Sequence, residues 1–146
     1  MVTAKRCQHL DDRVTQKYIK DLNGLLKEIK NWEEEAPLWE TEVEEYMYES
    51  AVVFAFGRIY KFFNFSGIHF GMPSGLDCGV VFQEEMMHLE FEVYSKGFKD
   101  HIKKGQVTPN DYKNTVIVCW KDNWTDKPSD LDVIELKSLW AMAKKT

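Results

Sequence analysis

Glu90 and Glu92 lie in the stretch MHLEFEVY, residues 87–94, where apolar and polar side chains alternate without a break. On an extended strand Met87, Leu89, Phe91 and Val93 share one face, and His88, Glu90, Glu92 and Tyr94 share the other. Residues two apart on a strand project from one face about 6–7 Å apart. Two carboxylates on a wet face are unremarkable polar residues. On a covered face each is costly unless it is paired or binds a metal. Asp77 follows the turn Pro73-Ser74-Gly75 at the start of the preceding strand, and it can reach the same place. Three converging carboxylates suit a hard divalent cation, Mg²⁺ or Mn²⁺. Such an ion activates water and stabilises charge on a phosphoryl oxygen, which is the chemistry of phosphodiester hydrolysis.

The elements that would position these groups are legible along the chain. The first dozen residues carry no period. Tyr18, Leu22, Leu25, Leu26 and Ile29 then recur at helical spacing. Pro37 interrupts at 33–40. A second helix is expected from Thr41 to about Phe63, with Thr41 and Glu44 spaced as a capping box. Glu42, Glu45 and Glu49 form its acidic stripe, and its second half is apolar nearly all round. Strands are expected at 67–72, 77–83 and 87–94, with Glu84-Glu85 as the tight connection between the last two. Ser95 is read as the N-cap of a short helix over 96–104, closed by Gly105. A polar loop over 106–114 should lead into TVIVCW, residues 115–120, a continuous apolar run typical of a strand covered on both faces. A last strand over 132–136 and a C-terminal helix complete the chain.

Short connections make the first three strands an antiparallel meander, and the helix after them makes a crossover. The expected architecture is a single α/β domain whose mixed central sheet of about five strands is flanked by helices. Residues 1–40 form a helical extension, 41–136 the core and 137–146 a terminal helix.

Composition narrows the function classes. The chain has 146 residues, 44% hydrophobic and 14% aromatic, which is globular and sized for one domain. A net charge of −5 provides no bulk electrostatic footprint for nucleic acid, so any such contact must be local or bridged by cations. The most basic stretch is Lys96, Lys99, His101, Lys103 and Lys104, a natural phosphate contact if nucleic acid binds. Three cysteines and no secretory signal point to free thiols in a reducing, cytoplasmic setting. No apolar run reaches membrane-spanning length.

The run PSGLD at 73–77, the EFE at 90–92 and the helix–strand order resemble the PD-(D/E)xK, or restriction-endonuclease-like, nuclease superfamily. The resemblance spans about 41–136 and implies an α-β-β-β-α-β core and Mg²⁺-dependent endonuclease activity on DNA. It implies Asp77 and Glu90 as metal ligands, with Glu49 or Glu45 as an additional helix carboxylate. It also implies a possible homodimer. Glu92 occupies the position usually held by the motif Lys, so the task of orienting or deprotonating the attacking water passes to Glu92, His88 or Lys96. Pro73 and Asp77 are not adjacent, so the dipeptide of the motif is absent. The alternative expectation is a non-catalytic module of this fold that binds a protein or nucleic-acid partner.

Overall fold

A computed structural model describes residues 12–35, 48–69 and 78–146. Its elements, in order, are α1 (Asp12–Tyr18), α2 (Leu22–Glu35), α3 (Glu49–Ile59), β1 (Ser66–His69), β2 (Cys78–Phe82), β3 (Glu85–Tyr94), α4 (Lys99–Lys103), β4 (Thr115–Lys121), β5 (Asp132–Glu135) and α5 (Leu136–Lys144). The five strands form one mixed sheet in the order β1-β2-β3-β4-β5. β1, β2 and β3 pair antiparallel, and β4 and β5 continue from β3 in parallel. The helix–meander–helix–strand order of α3 to β4 is the expected α-β-β-β-α-β core, with β5 added beside it.

The single helical stripe around Tyr18–Ile29 is two helices. Asp21 breaks it: its Oδ1 accepts the Gly24 N–H at 2.9 Å and starts α2 afresh. Residues 19–21 between them are tied to the end of the next helical segment, where Lys20 N–H donates to the Phe62 carbonyl at 2.9 Å. The α3 region ends in a 3₁₀ turn, Tyr60–Phe62. The expected capping box at Thr41 and Glu44 lies outside the described residues.

Two further expectations shift in detail. The β2–β3 turn is Gln83-Glu84, both with positive φ (51° and 67°), and Glu85 already belongs to β3. A two-residue hairpin requires that left-handed pair to match the twist of its strands. Residues 109–114, expected as open loop, form a 3₁₀ turn. Thr108 and Asp111 cap it reciprocally, with Pro109 at its first position.

The sheet separates two apolar cores. The larger packs α1, α2, α3 and α5 against Met87, Leu89, Phe91, Val116, Val118, Trp120 and Ile134. The smaller lies on the opposite face and joins Phe98, Val107, Tyr112, Ile117, Cys119, Trp124, Leu131 and Val133. β4 is buried along its length except at Lys121, as its apolar run requires. At the rim of the larger core, Asp132 on β5 accepts from Arg13 (2.5 Å), Lys17 (3.1 Å) and the Tyr18 hydroxyl (2.5 Å). Burial works against the Asp132 carboxylate. The bonds from Arg13, Tyr18 and Lys17 outweigh it and hold the acid below its ordinary range. Burial, aided by the bond to Asp132, pushes the Tyr18 hydroxyl far up. These contacts dock α1 onto the end of the sheet.

Candidate metal centre

Strand alternation on β3 sends Leu89 and Phe91 into the larger core and turns Glu90 and Glu92 toward the smaller one. The parallel register places Glu90 beside Ile117 and Glu92 beside Cys119. The carboxylates therefore sit in the sheet's interior. Glu90 is fully buried and Glu92 is 7% exposed. The cover comes from the crossover. After β3 the chain makes a 3₁₀ turn, Ser95–Phe98, and then α4. Phe98 drops into the smaller core, and His101 stacks on it with ring centroids 5.4 Å apart.

This fold-back carries the His101 imidazole over both acids. His101 Nε2 lies 3.4 Å from Glu90 Oε1 and 3.3 Å from Glu92 Oε2. One ligand atom from each of the three residues falls within 4.8 Å of the others, and they are the one such group among the described residues. The second ring nitrogen, Nδ1, donates to Gln106 Oε1 at 2.7 Å. Burial works to lower the imidazole pKa. The Gln106 bond and the charges of Glu90 and Glu92 outweigh it, so His101 titrates above its ordinary value. Gly97 allows the turn to press against the site, because a Cβ there would come 2.6 Å from Glu92 Oε1.

A polar network anchors the same turn. Ser95 does not cap the helix. Its hydroxyl donates to Asp122 Oδ1 at 2.5 Å and accepts the backbone N–H groups of Asn123 and Trp124. Asp122 N–H in turn donates to Glu135 Oε2 at 2.7 Å, and the Ser138 hydroxyl donates to Glu135 Oε1. Cys119 lies beneath this network. Burial first, then the charges of Asp122 and Glu135, drive its thiol well above the ordinary range. Cys78 and Cys119 are both buried free thiols.

The other expected site residues are distributed as follows. Asp77 and Glu45 lie outside the described residues. Glu49 is exposed in the first turn of α3, a helix packed on the Leu89/Phe91 side of the sheet, and it does not join Glu90, Glu92 and His101. His101, expected as a phosphate contact, is turned inward onto the acids. Lys96 and Lys103 are exposed. Lys99 lies 3.8 Å from Asp126 and covers the Trp124 ring at 5.8 Å. His88 shares the acidic face of β3 but stands outside the cluster. The contributions that sequence reasoning missed are His101 as a potential ligand and Gln106 as its orienting partner.

Comparison with family models, curated proteins and solved structures returned no match to this chain.

Proposed function

We propose that the protein is a divalent-metal-dependent nuclease that hydrolyses phosphodiester bonds in DNA, built on the PD-(D/E)xK plan. The observation that carries this reading is the convergence of Glu90 and Glu92, on the third strand of an α-β-β-β-α-β core, with His101 Nε2 from the crossover helix α4. The donors fit a divalent cation: two carboxylates and one imidazole at ligand spacing, oriented by backbone that is itself bonded. A cation held there would supply Lewis acidity toward a phosphoryl oxygen and a nucleophilic water at neutral pH.

The chain's own residues have separable tasks in this reading. Glu90, at the bottom of the site, is the fixed ligand. Glu92, closer to solvent, is the second carboxylate ligand, and its remaining oxygen takes the role of orienting the attacking water and accepting its proton. Asp77 is proposed as a further ligand from its place before β2. Lys96 and Lys103 offer exposed charge for the DNA backbone beside the site, in a protein whose net charge is −5.

The test is cleavage. Purified protein with Mg²⁺, Mn²⁺ or Zn²⁺ is expected to cut single-stranded, duplex or branched DNA, and a chelator is expected to abolish the cutting. Intact DNA of all three kinds with every ion would remove the nuclease reading.

One observation favours a second reading. Glu90 is fully buried and His101 closes over it, which also describes an internal ion-pair cluster in a non-catalytic module of this fold. Among the described residues, no helix is long and apolar enough to cross a membrane.

A further inference from the structure

The donor set does not match the ion that the resemblance implies. Mg²⁺ takes oxygen ligands almost exclusively, whereas an imidazole nitrogen suits Zn²⁺ and its first-row neighbours. Here a nitrogen is not incidental to the site. Its ring is stacked on Phe98, and Nδ1–H is committed to Gln106 Oε1 at 2.7 Å, which aims Nε2 at the two acids. An imidazole whose other nitrogen donates to an oxygen is the usual arrangement around a metal-binding histidine.

The spacing agrees. His101 Nε2 is 3.4 Å and 3.3 Å from the carboxylate oxygens of Glu90 and Glu92. One ligand atom from each of the three residues lies within 4.8 Å of the others, close enough for a single ion to bridge them.

We infer that Glu90, Glu92 and His101 form a three-ligand site selective for a nitrogen-accepting divalent ion, Zn²⁺ or Mn²⁺ over Mg²⁺, with Gln106 orienting the imidazole. The inference rests on the metal-site reading of the cluster. Coordination replaces the proton on Nε2 when the imidazole is charged, and that proton leaves to solvent.

The experiment uses the full chain and needs no DNA. Calorimetric titration is expected to show Zn²⁺ binding on the order of a hundred-fold tighter than Mg²⁺. Electron spin echo spectra of the Mn²⁺-loaded protein should carry coupling to one imidazole nitrogen, lost in His101→Gln. Gln106→Leu should weaken Zn²⁺ about ten-fold and leave Mg²⁺ unchanged. Bound Mn²⁺ with oxygen ligands alone, or coupling that persists in His101→Gln, overturns the inference and leaves the metal site standing. Binding of no ion overturns both. Nitrogen-coupled Mn²⁺ in a protein that cuts no DNA upholds the inference and removes the nuclease reading. The wild-type spectrum decides the ligand set even if a variant folds poorly.

Discussion

Glu90→Gln is expected to lower metal-dependent DNA cleavage about a thousand-fold or more, a loss of ~4 kcal/mol of transition-state stabilisation. Glu90 is fully buried, and its Oε1 is 3.4 Å from His101 Nε2. The amide retains the shape and removes the charge that would hold a cation. The substitution should not unfold the protein, because it removes one of two neighbouring acids from a covered site and relieves their repulsion. The melting temperature in chelator is therefore expected to hold or rise while cleavage is lost. Gain of stability by added metal should disappear with the activity. Melting curves and cleavage rates measured on one preparation check both halves. Undiminished cleavage by Glu90→Gln would remove Glu90 from the site.

Phe91→Ala is expected to destabilise the fold by about 3–5 kcal/mol. Phe91 lies between the two glutamates in sequence and on the opposite face in space. It is 4% exposed, and its ring centroid is 5.8 Å from that of Phe56 on α3. Removing the ring opens a cavity between β3 and α3 beneath the strand that carries both acids. Lost packing and loosened backbone should fall together, since β3 is central to the sheet. Urea denaturation of the variant measures the loss. A change below about 1 kcal/mol, the usual scale of exposed sites, would contradict the placement of Phe91 in the larger core.

The fold was largely legible because its signals are local and periodic. The alternation of residues 87–94 places one acid pair on one face, and the unbroken apolar run at 115–120 marks a strand covered on both sides. Short connections require the antiparallel meander. The break at Ile19–Asp21 was harder to read, because the apolar stripe continues through it, and what interrupts the helix is one Asp21 side chain capping Gly24. The turn at 109–114 did have a signal, Thr108 and Asp111 around Pro109, hidden among polar residues that also suit a loop.

The candidate site was half legible. Glu90 and Glu92 follow from β3 alone. His101 does not, because its position depends on how far the chain turns back after Tyr94. Ser95 bonds to Asp122, Phe98 seats in the smaller core, and only then does His101 face the acids. In sequence His101 is one member of a basic run, indistinguishable from a solvated helix face. Gln106 has no sequence signal, since its role begins with where His101 points. Glu49 shows the converse error. It continues an acidic helical stripe, yet α3 packs on the sheet face opposite the acids.

Anomalous diffraction from crystals soaked in Mn²⁺ tests the central claim most directly. Expected is one ion about 2.0–2.2 Å from a carboxylate oxygen of Glu90 and of Glu92, with His101 Nε2 facing it. A well-ordered soaked crystal with no ion between those carboxylates, and His101 still paired to both, would contradict it.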